Sequence, residues 1–579
     1  MCGIIGIVGN VDGLGEELLK KIKRLEYRGY DSVGMASLDN KITIKKDIGD
    51  VEKVNKKVNF ESLRGKTGMA HTRWATCGGV TKINAHPHDS CDSKIAIIHN
   101  GIIENYDELK KILMEKGHIF KSQCDSEIIA HFFEEKLKKK DMKNACIDFI
   151  KEIKGEFAAL IILDTVEKIY ALRRDSPLVL GLLDGKNILA SDIYAFSNET
   201  NKAIFFENDE FAVITADGYK FYDKKGNIVK KKIQEFKWEQ EESDISKHKH
   251  YMIKEIKEEP AVVRRLLTSI ETDQKDNFAK FIREIKKSKK VIFTACGTSY
   301  HASLLGVYYL HKCGIEAQAL IGSEFKHFAN VDKNTLVVAI SQSGETMDLI
   351  EALKYARAKQ AKIASIVNVP YSTIQRESVV SLNILAGQEV CVAATKSFVN
   401  QVTLMLRIAK EFGFKINLDN LPEKIEKVLL EEKKIKKIAD EIYKVNDLYV
   451  LGRGLSYPVA REVALKIKEI SYIHAEGMMG GELKHGTIAL IEKGTPVISL
   501  ISNKDYDMLS NTKEVEARGA KIIKITNELP GDIKLDTSND GKFGILATIV
   551  GQILTYYIAL ARNLPIDKPR NLAKSVTVK

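Results

Sequence analysis

At 579 residues, with 44% hydrophobic and 29% charged residues, the chain can bury several cores and is too long for one ordinary domain. That balance excludes a disordered, collagenous or membrane-dominated protein. Lys and Arg outnumber Asp and Glu by 89 to 78, a net charge of +11. The basic residues alternate with acidic ones, as in Glu431-Glu432-Lys433-Lys434-Ile435-Lys436-Lys437. The surplus therefore reads as solvated helix faces and a bias towards anionic small substrates, with no nucleic-acid partner expected.

From residue 2 to about 220, short apolar or alternating runs at 4–8, 95–99 and 157–163 mix with helical patterns at 105–116 and 125–138. That mixture predicts an α+β layered domain on antiparallel sheets over 2–220. Residues 221–250 are polar and lysine-rich, and read as a linker. Beyond residue 251, strand and helix patterns alternate strictly, with strands expected at 291–295, 336–341 and 362–367. This is the grammar of a doubly wound parallel α/β fold.

The second half also repeats itself. Gly297-Thr298-Ser299-Tyr300 returns as Gly454-Leu455-Ser456-Tyr457, an offset of 157. Ala361-Lys362-Ile363 returns as Ala520-Lys521-Ile522, an offset of 159. Two related α/β units are expected, over 251–420 and 421–579. Residues 543–561 run nineteen positions without a charge, long enough to span a bilayer. They include Thr548, Gln552, Thr555 and two tyrosines, so a buried core helix is the expectation, with no membrane partner.

The first α/β unit carries Ser341-Gln342-Ser343-Gly344-Glu345-Thr346 at a strand-to-helix turn, besides Thr298-Ser299 at another. Helix N-termini at the ends of parallel strands offer free N–H groups to anions. Single turns of this kind are ordinarily N-caps. Two in matching positions make a cradle for a phosphate monoester, built from Thr298, Ser299, Ser341, Gln342, Ser343 and Thr346. The second copy has Leu500-Ile501-Ser502-Asn503 at the equivalent place, which leaves one phosphate site. Gly65-Lys66-Thr67 lacks the leading glycine of a Walker loop, and Gly452-Arg453-Gly454 lacks the third glycine of a dinucleotide fingerprint.

Cys2 follows the initiator Met and precedes Gly3. Removal of Met would leave a thiol beside its own α-amine, whose pKa near 8 allows it to serve as the base. The eight cysteines are scattered with no CxxC pair, and the opening Met-Cys-Gly-Ile-Ile has no basic n-region. Reduced thiols in a cytoplasmic protein are expected. Cys77, His86, His88 and Cys91 are zinc-type residues within fifteen positions, but their spacing fits no standard finger. No metal is expected.

Leu25-Glu26-Tyr27-Arg28-Gly29-Tyr30-Asp31-Ser32, His71-Thr72-Arg73-Trp74-Ala75-Thr76, Asn84-Ala85-His86-Pro87-His88, His99-Asn100-Gly101 and Cys124-Asp125-Ser126-Glu127 resemble the class II glutamine amidotransferase domain. That family has an N-terminal nucleophile fold of αββα layers. The resemblance implies that Cys2 attacks the side-chain amide of glutamine, with Asn100 and the Gly101 N–H stabilising the oxyanion. It further implies that Arg73 receives the α-carboxylate of glutamine and Asp125 its α-ammonium, with Trp74, Thr76 and His86 completing the pocket. Trp74 would gate departing ammonia, and Arg28 would have a supporting role. Cys77 stands where the family usually has His.

The hydroxyl turns resemble sugar isomerase (SIS) domains of flavodoxin-like fold. Three stretches complete the likeness: residues 464–476 (Ala-Leu-Lys-Ile-Lys-Glu-Ile-Ser-Tyr-Ile-His-Ala-Glu), Gly481-Glu482-Leu483-Lys484-His485-Gly486, and the tail Pro569-Arg570-Asn571-Leu572-Ala573-Lys574-Ser575-Val576-Thr577-Val578. With them the chain resembles, over essentially its full length, the amidotransferases that make amino sugars. The resemblance implies that L-glutamine and fructose 6-phosphate are substrates and that no cofactor is needed. A homodimer would complete the sugar site across its interface. Lys574 would form a Schiff base with the ketose carbonyl, Glu469 move a proton between C1 and C2, His485 open the sugar ring, and Lys466 orient Glu469. A Lys574 amine neutral enough for imine formation would need desolvation or a nearby cation such as Arg570.

Ala394, Gly477-Met478-Met479-Gly480 and Thr487 depart from the family pattern, so altered pocket packing or channel lining is expected there, without a change of reaction. Other class II amidotransferases would need a pyrophosphate-binding acidic loop or an adenylating Ser-Gly-Gly loop, and neither is found. A phosphosugar sensor would keep 341–346 without needing Glu469, His485 and Lys574.

Overall fold

Strand Gly3–Gly9 is buried along its whole length, as an unbroken apolar run requires when both faces are covered. In the computed structural model, which describes residues 2–236, 245 and 247–576, this strand lies between Thr67–Arg73 and Lys186–Ala190. It belongs to an eight-stranded antiparallel sheet. A second antiparallel sheet of seven strands contains Ile95–Ile103, Gly155–Leu163 and Val166–Arg174. The period-two pattern of Ile95–Ile103 sorts its side chains between two cores. Ile98 faces Ile4, Val8 and Met69 of the first sheet. Ile97 faces Ile129, Phe133 and Phe149 on the helices Glu127–Leu137 and Met142–Glu152. Helix Leu14–Arg24 packs on the first sheet, which completes the αββα layering.

Residues 221–236, expected as linker, are folded instead. Tyr219–Tyr222 and Ile228–Val229 extend the edge of the second sheet, and Gln234–Glu235 extends the first. Their polar, lysine-rich character is that of solvated edge strands. Lys231, for example, pairs with Glu210 at 2.8 Å while its ammonium lies over the Phe221 ring. The rest of the expected linker at 237–244 and 246 lies outside the described residues, as do Met1 and 577–579.

The chain divides into two compact units near residue 240. The second unit contains two five-stranded parallel sheets. One is ordered Gln318–Ile321, Lys290–Ala295, Thr335–Ser341, Lys362–Val367, Val380–Asn383. The other is ordered His474–Met479, Asp447–Gly452, Pro496–Ile501, Lys521–Thr526, Ile533–Lys534. Both have the strand order 2-1-3-4-5 of flavodoxin-like folds, so the sequence repeat is a repeat of fold. One apolar core runs through both copies.

The uncharged stretch forms most of helix Asp540–Ala561, whose most apolar window is 89% buried. Thr548 and Thr555 return their hydroxyls to the carbonyls of Gly544 and Gly551, which satisfies them inside the core. Gly551 lets the helix Ser456–Ser471 approach closely, since a Cβ there would lie 2.4 Å from Val463.

Candidate active site

In the first unit, strand pairing brings the sequence-predicted residues to one place. Gly3 pairs with Thr72, so Cys2 lies beside the end of strand Thr67–Arg73 and its thiol accepts a hydrogen bond from the Trp74 N–H at 3.2 Å. Asn100 donates its amide to the Cys2 carbonyl at 2.7 Å, and His71 Nε2 lies 3.1 Å from Asn100 Oδ1. Gly101 has φ +129°, and a Cβ there would lie 2.0 Å from the Glu156 carbonyl oxygen. No side chain fits that position. Asp125 accepts from the Ile103 N–H at 2.8 Å. Arg73 donates to the carbonyls of Cys77, Gly78 and Gly79 at 2.5, 3.2 and 3.2 Å, which fixes its guanidinium.

Cys2, Arg73, Trp74, Thr76, His86, Gly101 and Asp125 line one pocket. Burial pushes the Cys2 thiol up and holds His86 well below its usual value. The thiol is thus protonated at neutral pH and needs a base before it can attack. Arg28 is buried away from this lining, with its guanidinium 2.7 Å from Asp192 and 3.1 Å from the Tyr27 hydroxyl. It clamps the turn Glu26–Arg28. The four zinc-type residues close in sequence are not brought together. His86 and His88 meet edge to face at 4.7 Å beside Cys124, whereas Cys91 lies with His118 and His131.

In the second unit, helix Ser456–Ser471 aligns Glu462, Lys466 and Glu469 on one stripe, as spacings of four and three require. Lys466 is buried and lies 2.5 Å from Glu469 and 3.5 Å from Glu462, and it donates to the Thr298 hydroxyl at 3.0 Å. Glu462 accepts from Thr298 at 3.1 Å and contacts His301 at 2.7 Å. Burial raises the Glu469 carboxyl despite the opposing pull of Lys466.

Lys574 is also buried. Its ammonium lies 2.5 Å from Glu389 and 2.8 Å from the Cys391 carbonyl. Burial alone would raise Glu389, but Lys574 and Ser397 outweigh it and hold the carboxyl at about 2. Lys574 in turn lowers Glu469 electrostatically, so the two predicted residues share one charged cluster. Arg570 does not serve as the neighbouring cation. Its guanidinium lies 4.2 Å over the Tyr472 ring, and its N–H bonds to the Tyr472 hydroxyl at 2.8 Å. It anchors the tail.

The hydroxyl loop precedes helix Met347–Ala358. Ser341 accepts from the Gly344 N–H at 2.9 Å and meets the Thr346 hydroxyl at 3.2 Å, while Ser343 accepts from the Glu345 N–H at 3.2 Å. Gly344 has φ +67°, and a Cβ there would lie 2.0 Å from the Ser372 hydroxyl. Gln342 is half-buried beside these serines, and Ser299 accepts from Gln401 at 3.0 Å. Thr298 belongs instead to the Glu462–Lys466 cluster. In the second copy the Asp540 carboxylate accepts from Ser502 at 2.5 Å and from Asn503, a placement hostile to an anion.

His485 stands exposed on the short helix Glu482–His485, and its imidazole makes no hydrogen bond or ion pair among the described residues. It is not gathered to Glu469. Sequence reasoning missed Glu389, Glu462 and His301. The 462/466/469 stripe carried a signal for Glu462, whereas Glu389 sits in a loop with none.

The family described as "Glutamine amidotransferase domain" matches residues 72–198, and the family described as "SIS domain" matches twice, at 284–409 and 441–548. A glutamine–fructose-6-phosphate aminotransferase (isomerizing) from Methanococcus maripaludis is 41% identical over the whole of both chains. The enzyme of that name from Thermococcus kodakarensis is 40% identical over the whole of both. The chain belongs to this aminotransferase family. Among solved structures, the C-terminal domain of glucosamine-fructose-6-phosphate aminotransferase from Francisella tularensis is 33% identical with a TM-score of 0.52, covering 56% of this chain and all of that one.

The positions that depart from the aminotransferase pattern have identifiable surroundings. Cys77 serves Arg73 through its carbonyl, which any residue supplies, and its thiol reaches the Gln123 carbonyl at 3.6 Å. Beside Ala394, the N–H groups of Thr395 and Ser397 bind Glu389 at 2.9 and 3.0 Å. Gly477 is required for packing, since a Cβ there would lie 2.5 Å from the Arg461 Cα. Thr487 opens a short helix, Thr487–Leu490.

Proposed function

We propose that this enzyme converts D-fructose 6-phosphate and L-glutamine to D-glucosamine 6-phosphate and L-glutamate, the entry step of amino-sugar synthesis. The observation that carries the reading is the cluster of Lys574, Glu389, Lys466 and Glu469, in which the first three side chains are buried and Glu469 is half-buried. A glutaminase alone has no use for it. In the first unit, the Cys2 thiol passes its proton to the α-amine exposed by loss of Met1 and attacks the amide carbon of glutamine. Asn100 and the Gly101 N–H hold the oxyanion, ammonia leaves, and water hydrolyses the thioester to glutamate. Arg73 and Asp125 bind the two ends of the amino acid, with Trp74, Thr76 and His86 closing the pocket.

In the second unit, the 341–346 loop with Ser299 binds the phosphate. His485 opens the ring, and Lys574 condenses with C2 of the ketose and releases water. Ammonia from glutamine then displaces the lysine, and Glu469 moves a proton from C1 to C2, giving the 2-amino aldose. Thr298 and Lys466 hold Glu469 in place. The exposure of His485 on its turn supports a homodimer in which a second copy completes the sugar site. Eight unpaired thiols suit a reducing cytoplasm.

The test is to incubate the purified protein with glutamine and fructose 6-phosphate and to identify the products by mass spectrometry. Glucosamine 6-phosphate and glutamate in equal amounts are expected. Glutamate with no amino sugar would defeat the proposal.

A further inference from the structure

A second cluster in the first unit takes no part in the glutamine pocket. Cys91 lies in the turn between His88–Asp89 and Ile95–Ile103, and His118 follows the helix Tyr106–Glu115. His131 and Glu134 lie one turn apart on Glu127–Leu137. One ligand atom from each of these four residues falls within 4.8 Å of all the others. Cys91 Sγ is 3.8 Å from His118 Nδ1 and 3.5 Å from His131 Nδ1. Glu134 Oε2 is 3.0 Å from His118 Nδ1 and 3.3 Å from His131 Nδ1. A tetrahedral zinc, with bonds of about 2.3 Å to sulfur and about 2.0–2.1 Å to nitrogen and oxygen, separates S from N by roughly 3.5 Å and N from O by roughly 3.3 Å. These four separations match those edges to within about 0.3 Å.

The donor count argues for a cation at its centre. Each imidazole faces carboxylates on both sides. His118 Nε2 is 3.2 Å from Glu135 and His131 Nε2 is 3.5 Å from Glu127, while both Nδ1 atoms face Glu134. A neutral imidazole has one N–H, so without a metal each ring either turns a lone pair on a carboxylate or carries a charge. A metal removes the conflict. Both Nδ1 lone pairs and the Cys91 thiolate bind it, and both Nε2–H groups donate to the outer carboxylates, the usual arrangement behind metal-bound histidines. Glu127 is itself fixed by the N–H groups of Lys121 and Ser122, at 2.7 Å each.

We propose that Cys91, His118, His131 and Glu134 form a structural zinc site. Thiolate, two imidazoles and a carboxylate form a zinc-type set, and four protein ligands leave no open position for chemistry. Zinc would tie the 90–94 turn to the segment 118–127, which delivers Asp125 to the glutamine pocket. The sequence places Cys91 near Cys77, His86 and His88, whereas the fold places it with His118, His131 and Glu134.

The test uses the full-length untagged protein, stripped with a chelator and dialysed against zinc. Elemental analysis is expected to return about one zinc per chain, and zinc is expected to raise the unfolding temperature. Cobalt in its place should give tetrahedral ligand-field bands with a thiolate charge-transfer band. Cys91→Ser should lose that band, and Glu135→Gln should weaken zinc binding by about 10-fold or more. Absence of bound zinc, an octahedral cobalt spectrum, or unchanged zinc binding in Cys91→Ser would each overturn the site. The last result would point to the separate His86, His88 and Cys124 group.

Discussion

The side chain of Asn100 has two tasks at once: its amide nitrogen bonds the Cys2 carbonyl, and its oxygen meets His71. Burial holds His71 down to about 3, so this neighbour is neutral at working pH and fixes the amide by hydrogen bonding without adding charge. Asn100→Ala is expected to cut glutamine turnover by about 10²–10³, the usual loss for one oxyanion donor, with little effect on sugar binding. Stopped assays of glutamate release check this, and an unchanged rate would remove Asn100 from the oxyanion site. Lys574, whose side-chain nitrogen lies 2.5 Å from Glu389, is the group proposed to form the imine with the ketose. Borohydride added with fructose 6-phosphate should therefore trap the sugar on Lys574, as mapped by peptide mass. An adduct on another lysine, or full activity in Lys574→Arg, would contradict the assignment.

At the level of elements, the site depends on what precedes and begins the helices. The loop before Met347–Ala358 closes on itself through Ser341, Gly344 and Thr346, and its shape requires a positive φ at Gly344 with no Cβ. Gly344→Ala adds the left-handed strain of about 1–2 kcal/mol and a clash with Ser372. Loss of sugar affinity by at least about tenfold is expected, seen as a raised KM for fructose 6-phosphate with glutaminase activity intact. An unaltered KM would mean that the loop does not bind the phosphate. Much of this level was legible in the sequence. Strand-to-helix turns rich in hydroxyls announce their position, and the i, i+4, i+7 spacing of Glu462, Lys466 and Glu469 places all three on one face. Glu389 was not legible, because a loop carboxylate has no period and its partner Lys574 is 185 residues away. The 221–236 strands were hidden for another reason: edge strands need only one buried face, so their composition is that of a linker.

At the scale of the whole molecule, duplication of one α/β unit leaves two unequal crevices, and the Asp540 carboxylate sits in the second. The repeat was visible as recurring motifs at offsets of 157 and 159. Buried charges were not, since burial is a property of the assembled core. Glu255 is the clearest case. Burial and the nearby Glu389 raise its carboxyl to about 8, so the folded chain holds a proton that the unfolded chain has released above about 4.5. Its contribution to stability is complete below about 4.5 and is lost as pH rises through about 8. Thermal unfolding between pH 5 and pH 9 (roughly the window of that loss) should decline more steeply for the natural protein than for Glu255→Gln. Parallel profiles would show that Glu255 does not hold the proton.

The central claim is that one chain joins two chemistries, with the nitrogen of the sugar coming from the glutamine amide through Cys2. It is tested most directly by supplying glutamine labelled in its amide nitrogen, together with fructose 6-phosphate and unlabelled ammonium. The account predicts labelled glucosamine 6-phosphate from the natural protein. Cys2→Ala should give no labelled product while fructose 6-phosphate is still isomerised to glucose 6-phosphate. Labelled amino sugar from Cys2→Ala, or unlabelled amino sugar from the natural protein, would contradict it.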